Sequence, residues 1–228
     1  MAELPGKRAV LFDMDGVLVR SDELKAAAHS ETVKRLGGDV PPSFYQFHMG
    51  NSHAVVRAAF LAEAGLECDL SRYTELYHEI YRQLLETNLV VAPGARTLLQ
   101  TLADRGFALA IVTSSRAWMM NQVLTQTGLG GFFQARISGD DIRRPKPAPE
   151  AYVLALRRLG VPSAAAVAVE DSAPGVEAGL AAGVAVIAVR HGFNQTHDFS
   201  RATAQFTGLE DVAEIVAVIE SVTAAAIA

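Results

Sequence analysis

The stretch Ala-Val-Leu-Phe-Asp-Met-Asp-Gly-Val at residues 9–17 joins a short apolar run to two carboxylates one residue apart, followed by a glycine. A continuous apolar run of this kind is typical of a parallel strand that is buried on both faces. In open α/β sheets, ligands bind just beyond the carboxyl ends of such strands. The stretch therefore predicts a buried strand that presents Asp13 and Asp15 at a ligand-binding edge.

Two other interpretations apply to this turn when it is taken alone. Asp15-Gly16 can simply reverse the chain as an Asx turn. An Asp-x-Asp-Gly sequence also opens calcium-binding loops, which need further acids at short intervals and a closing glutamate. Leu18 and Val19 interrupt any such series, so a calcium loop is disfavoured.

The sequence pattern becomes helical after the first strand. Residues 20–90 contain three segments rich in Ala, Leu and Glu with apolar residues at helical spacing, namely Asp22–Leu36, Ser52–Ala64 and Leu70–Glu86. We expect an all-helical cap domain at 20–90, inserted into a core domain formed by 1–19 and 91–228.

From residue 91 onward strands and helices alternate, which predicts a parallel sheet covered on both faces. The fold class is therefore α/β, a doubly wound parallel sheet with an inserted helical domain. Four strands are predicted at Phe107–Val112, Ala135–Ser138, Ala165–Val169 and Val184–Val189. A helix that carries Leu98, Leu99 and Leu102 precedes them, and three more lie between them at Arg116–Thr127, Pro149–Leu159 and Pro174–Ala182.

Composition limits the classes of partner. Half of the 228 residues are apolar, the net charge is −5, and no basic stripe favours a nucleic acid or an anionic membrane. Apolar runs such as 184–189 are too short to cross a bilayer, and the N-terminal residues lack the apolar core of a secretion signal. The single cysteine, Cys68, excludes an internal disulfide. We expect a cytoplasmic monomer or weak dimer without nucleic-acid or membrane partners.

Polar residues follow three further strands. Thr113, Ser114 and Ser115 follow one, Lys146 lies in a proline-rich loop after the next, and Glu170-Asp171 follow a third. Taken singly, the hydroxyls and Asp171 can be helix caps and Lys146 a solvated lysine. Taken together, acids, hydroxyls and a lysine at four strand ends favour one functional site.

These four motifs, Asp13-Met14-Asp15-Gly16, Thr113, Lys146 and Glu170-Asp171, resemble those of the haloacid dehalogenase superfamily in order and separation. The similarity is to its phosphatase and β-phosphoglucomutase-like branch, in which a helical cap follows the first strand. It extends over nearly the whole chain and implies a Rossmann-like core.

The resemblance implies Asp13 as the nucleophile that forms an aspartyl-phosphate, with Asp15 as general acid and base. Asp15 should then have a raised pKa. Bringing a carboxylate to about 4 Å from a phosphate dianion costs about 8 kcal/mol at an effective dielectric constant of about 20. The resemblance assigns the shielding to Mg²⁺, held by Asp13, the Asp15 backbone carbonyl, Glu170 and Asp171, with Thr113, Lys146 and backbone N–H groups near Ser114 orienting the phosphoryl oxygens.

Two positions distinguish this chain from other enzymes of the superfamily. Dehalogenases of this fold lack the acid at the position of Asp15, because a halide leaving group needs no proton. Phosphonate-cleaving relatives carry a cap lysine where this chain has His53. Phosphoryl transfer is therefore the favoured reaction.

Substrate choice is expected to depend on the cap. The expected substrate-binding residues are Lys25, Gly50, Asn51, Ser52, His53, Ser114 and Ser115. The β-phosphoglucomutase branch commonly has histidine in place of Lys25 and arginine in place of His53. The sequence thus predicts a Mg²⁺-dependent phosphatase for a small phosphorylated metabolite, with a sugar phosphate expected; a phosphosugar mutase is the alternative, and a non-catalytic binding module is a third hypothesis.

Overall fold

The structure, a computed structural model, describes residues 6–224. Six parallel strands form one sheet in this part of the chain. They are β1 (Ala9–Phe12), β2 (Ala108–Val112), β3 (Ala135–Ile137), β4 (Ala166–Glu170), β5 (Ala185–Val189) and β6 (Ala204–Phe206). The order across the sheet is β3-β2-β1-β4-β5-β6, with β1 near the centre. The predicted doubly wound parallel sheet is confirmed.

Helices follow or connect these strands. The α-helices in residues 6–224 are α1 (Asp22–Arg35), α2 (His53–Glu63), α3 (Leu70–Asn88), α4 (Ala95–Asp104), α5 (Ala117–Thr127), α6 (Glu150–Leu159), α7 (Ala173–Ala181) and α8 (Val212–Ala224). Short 3₁₀ helices occupy Pro42–Phe47, Gly130–Phe132, Gly139–Asp141 and Ser163–Ala165.

The two faces of the sheet have different partners. Along β1, Val10 and Phe12 point to the face covered by α4, α5 and α8, whereas Ala9 and Leu11 point to the face covered by α6 and α7. All four side chains are fully buried. The run at β1 is apolar at every position because both faces of the sheet are covered there, as the sequence predicted.

The predicted helical insertion corresponds to α1, α2 and α3, which lie between β1 and α4. The chain enters and leaves it side by side: the Arg20 N–H donates to the Val90 carbonyl and the Ala92 N–H to the Leu18 carbonyl, both at 2.9 Å. An antiparallel bridge joins Val19 to Val91 between them. The assignment of 1–19 and 91–228 to one domain and 20–90 to another stays a prediction.

Two elements near the C-terminus, β6 and α8, were not predicted. The strand has only three residues, all partly or largely exposed. The Ala-rich sequence at 223–228 is typical of a fraying helix: Thr223 and Ala224 form the end of α8, while 225–228, like 1–5, lie outside the described residues. Within 6–224, every helix is too short or too polar to cross a membrane.

The interior of the inserted helices contains a buried histidine. His29, on α1, is 2% exposed and its Nδ1 lies 2.9 Å from the Tyr73 hydroxyl. Its ring centroid is 4.3 Å from that of Tyr77 and 5.0 Å from that of Phe60. Burial, with smaller contributions from His53 and Lys25, holds the pKa of His29 well below its ordinary value.

His29 should make this protein less stable in mild acid. The unfolded chain takes up the proton near pH 6.5 and the folded chain only at lower pH, so stability falls as the pH drops below 6.5. One such histidine changes the free energy of unfolding by up to about 1.4 kcal/mol per pH unit. We expect His29→Phe to flatten the dependence of melting temperature on pH between 6.5 and 5, measured by circular dichroism. His48→Phe, which changes a half-buried histidine outside this stack, is the control; equal slopes in wild type and His29→Phe would contradict the prediction.

Candidate active site

The sheet register brings the predicted motifs to one edge. Phe12 pairs with Ile111 of β2 and with Val169 of β4, so the residues that follow these strands meet at the carboxyl end of the sheet. The Asp13 N–H donates to the Val169 carbonyl at 2.9 Å, which holds the first turn against β4.

Asp13 and Lys146 form an ion pair at this edge. The Lys146 Nζ donates to Asp13 Oδ1 and to Glu170 Oε1, both at 2.5 Å, and to the Val112 carbonyl at 2.9 Å. Burial opposes the lysine charge, but the two carboxylates outweigh it and raise the pKa of Lys146. Burial raises the pKa of Asp13 to about 7 despite Lys146, with Glu170 and Asp15 adding to the increase. Lys146 is thus a cation fixed beside Asp13.

Protein donors contact both Glu170 oxygens. Oε1 accepts from Lys146 and, at 2.6 Å, from the Tyr152 hydroxyl. Oε2 accepts from the Asp171 N–H at 3.1 Å and from the Ser172 hydroxyl at 3.2 Å. The sequence offered Glu170 as a metal ligand; in the structure its contacts are those of a residue that orients Lys146. Tyr152, on α6, is a contributor that the sequence analysis missed.

The expectation of a raised pKa for Asp15 is wrong for this arrangement. Its carboxylate accepts from the hydroxyls of Ser21 at 2.5 Å, Ser115 at 2.6 Å and Thr113 at 3.3 Å, and pairs with the Lys25 Nζ at 2.9 Å. Burial alone would raise the pKa, but Lys25 and the hydroxyls of Ser115 and Ser21 together lower it. The structure therefore describes an ionised Asp15.

A cavity of about 550 Å³ lies between the inserted helices and this edge. The side chains of Lys146 and Ser115 form part of its floor. Every substrate-binding residue expected from the sequence lines it, namely Lys25, Gly50, Asn51, Ser52, His53, Ser114 and Ser115. Thr113 instead lies beneath, with its hydroxyl directed at Asp15 and at the Ser115 N–H.

His53 contributes an unpartnered nitrogen to the cavity wall. Its Nε2 is buried and has no hydrogen-bond partner in residues 6–224. Burial, followed by the positive charges nearby, lowers the pKa of His53 to about 4. The ring is therefore neutral at pH 7 and presents a hydrogen-bonding atom to a ligand.

Carboxylates outnumber the cations paired with them at this edge. Asp13, Asp15, Asp22, Glu170 and Asp171 are all buried, and the lysines that pair with them in residues 6–224 are Lys25 and Lys146. Burial, then the carboxylates of Asp22, Asp13 and Glu170, raise the pKa of Asp171 well above its ordinary value. A set of buried carboxylates with excess negative charge fits a hard divalent cation such as Mg²⁺.

Comparison with known proteins agrees with this geometry. The family model described as haloacid dehalogenase-like hydrolase matches residues 10–189, which include all four motifs. The chain belongs to the haloacid dehalogenase-like hydrolases. The recognition of this family from the motifs Asp13-Met14-Asp15-Gly16, Thr113, Lys146 and Glu170-Asp171 is confirmed.

Individual relatives place the chain in the phosphatase branch of these hydrolases. A protein named phosphoglycolate phosphatase from Pseudomonas savastanoi pv. phaseolicola is 33% identical over 82% of this chain and 71% of its own. One named phosphorylated carbohydrates phosphatase from Thermotoga maritima is 29% identical over 82% of this chain and 87% of its own. Among solved structures, CbbY from Rhodobacter sphaeroides in complex with phosphate superposes with a TM-score of 0.79 and 26% identity, covering 93% of this chain and 96% of that one. The protein is a phosphoric monoester hydrolase of the haloacid dehalogenase-like family.

Proposed function

We propose that this hydrolase is a Mg²⁺-dependent phosphatase acting on a small phosphorylated metabolite, with a sugar phosphate as the expected substrate. The observation that carries the proposal is the buried Asp13–Lys146 ion pair, whose lysine lines the 550 Å³ cavity. A cavity of this volume lies in the range of small-molecule binding sites.

In this proposal Asp13 attacks phosphorus and forms an aspartyl-phosphate, which water then hydrolyses. Lys146 neutralises a phosphoryl oxygen, and Glu170 with Tyr152 holds the lysine in place. Mg²⁺, held by Asp13, Asp171 and the Asp15 backbone carbonyl, would reduce the repulsion between the carboxylate and the phosphate.

Asp15 is proposed to protonate the leaving oxygen and then to take a proton from the attacking water. Since the donors around it favour the ionised carboxylate, it first has to gain a proton. Lys25 and Ser115 both line the cavity and contact Asp15, and Lys25 is the charged one. We propose that a polar group of the substrate draws Lys25 away, which raises the pKa of Asp15 when acid catalysis is needed.

The alternative mutase activity has one supporting observation. Three arginines, Arg57, Arg116 and Arg143, lie along the cavity wall, where a second phosphate would find cationic partners. Arg57 and Arg116 already contact Thr74 and Asp140 respectively, which favours the phosphatase as the first proposal.

A phosphate-release screen tests the proposal. It should include phosphoglycolate and several sugar phosphates, because the relatives' names mention these classes. A separate reaction with β-glucose 1-phosphate, a catalytic bisphosphate and Mg²⁺ tests the mutase. Release of inorganic phosphate supports the phosphatase. Conversion to the 6-phosphate with little free phosphate would show that the protein is a mutase and contradict the phosphatase proposal.

Lys25→Met should lower kcat/KM for the best substrate by about 10–100-fold, the effect of losing one charge-assisted hydrogen bond. Because Lys25 lowers the pKa of Asp15, the variant's activity should also extend to higher pH. Steady-state kinetics across pH measure both effects. Lys34→Met, on the exposed end of α1, is the control. A kcat/KM within twofold of wild type with an unchanged pH profile would refute this role for Lys25.

A further inference from the structure

A three-residue cluster beside the active site contains two residues outside the family motifs. Asp22, Asp171 and His191 each offer one ligand atom, and these atoms lie within 4.8 Å of one another. Asp171 follows β4, His191 follows β5, and Asp22 lies in the first turn of α1, on the inserted helices. The cluster therefore joins the insertion to the catalytic edge.

Gly16 shows how closely the two carboxylates approach. Its φ is +75°, and a methyl group at this position would lie 1.8 Å from Asp171 Oδ2 and 2.6 Å from Asp22 Oδ2. Both oxygens therefore converge over the same glycine. Two carboxylate charges within 4.8 Å of one another need a cation or a proton between them.

The Asp22 Oδ2 atom has no partner of its own. Asp22 is 4% exposed, and this oxygen accepts no hydrogen bond from any group in residues 6–224. Burial, opposed by Lys25 and assisted by Asp15, raises the pKa of Asp22 to about 6. An oxygen without a hydrogen-bond partner in the described residues is thus buried and directed into the cluster.

His191 acts on Asp171 rather than on Asp22. Its Nε2 lies 2.8 Å from Asp171 Oδ2 and 3.8 Å from Asp22 Oδ2. Its Nδ1 accepts from the Phe193 N–H at 3.3 Å, which assigns the proton of the neutral ring to Nε2. His191 therefore donates to Asp171, and the ligand atoms left for a cation are oxygens, which suits Mg²⁺ or Mn²⁺.

We infer that Asp22 is a cation-binding residue, whose carboxylate joins that of Asp171 in holding the divalent cation of the active site. The inference rests on the metal dependence of the proposed function. Because Asp22 belongs to α1, cation binding and the position of the inserted helices are linked: whatever strengthens one strengthens the other.

Mn²⁺ binding to the full chain without substrate tests the inference. Free Mn²⁺ is measured by electron paramagnetic resonance for wild type, Asp22→Asn and Glu23→Gln. Glu23 is the adjacent acid on the same helix turn but is exposed, so it is the matched control. Asp22→Asn should weaken binding about tenfold or more, and Glu23→Gln should stay within twofold of wild type.

Asp22→Asn binding Mn²⁺ within twofold of wild type would overturn the inference and leave the phosphatase proposal standing. Failure of wild type itself to bind Mn²⁺ would overturn both. Added Mg²⁺ should raise the melting temperature of wild type more than that of Asp22→Asn; an equal rise would also overturn the inference.

Discussion

Replacing Asp13 with asparagine should reduce phosphate release by about 10⁴-fold or more, the scale of loss seen when a nucleophile is removed. The amide keeps the shape of the side chain but cannot attack phosphorus. Lys146 retains Glu170 as its partner, so the fold should persist. Initial rates on the best substrate of the screen measure the loss, and circular dichroism checks the fold.

The control for this substitution is Asp39→Asn, which changes an exposed aspartate in a loop. It should retain full activity. Wild type quenched during turnover should carry a phosphoryl group on the peptide that contains Asp13, detected by mass spectrometry. Hydrolysis by Asp13→Asn at the wild-type rate would show that Asp13 is not the nucleophile.

Replacing Lys146 with methionine should lower the free energy of unfolding by about 3–5 kcal/mol and abolish measurable turnover. Only 4% of this side chain is exposed, and its loss leaves Asp13 and Glu170 buried without their cation. Breaking a buried ion pair from one side has a cost of this size. Urea denaturation measures the stability, and phosphate release measures the activity.

A double-mutant cycle separates the Lys146–Glu170 ion pair from the packing of the Lys146 side chain. In a Glu170→Gln background, Lys146→Met should be less destabilising than in wild type, because one of the two stranded carboxylates is gone. Lys34→Met, at an exposed position, should change stability by less than about 0.5 kcal/mol. Equal costs of Lys146→Met in both backgrounds would show that the ion pair with Glu170 does not contribute to the stability that Lys146 provides.

The central part of the fold could be predicted because its signals are local. The strands β1, β2, β4 and β5 are mainly apolar runs that end at polar turns, and α5 ends at a glycine. The helix α8 was missed because its apolar residues are not confined to the buried positions: Ile215, Val216 and Ile219 are buried, but the exposed positions Ala213 and Ala217 are apolar too. Its helical period is therefore obscured.

The site was predictable where a residue directly follows a strand. Asp13, Thr113 and Asp171 meet because parallel strands in register end at one edge. The partners of these residues were not predictable, since they depend on how the helices pack onto that edge. Asp22 and His191 come from two distant elements, and no spacing in the sequence relates them to Asp171.

The lowered pKa of Asp15 could not be predicted from the sequence either. Burial alone raises the pKa of a carboxylate. The donors that reverse the shift come from two separate parts of the chain: Ser21 and Lys25 near the start of α1, and Ser115 after β2. The sign of the shift is therefore a property of the tertiary structure.

The side-by-side crossing at Val19 and Val91 determines how a molecule reaches the cavity. The two chain connections between the inserted helices and the core lie side by side there, held by two backbone hydrogen bonds and a bridge. Because both connections lie on one line, we expect the insertion to open by rotation about that line once side-chain contacts such as Lys25 to Asp15 break. Metabolites should therefore enter and products leave at the rim farthest from these two valines, and a disulfide engineered across that far rim should stop exchange with solvent while leaving the chemical groups in place.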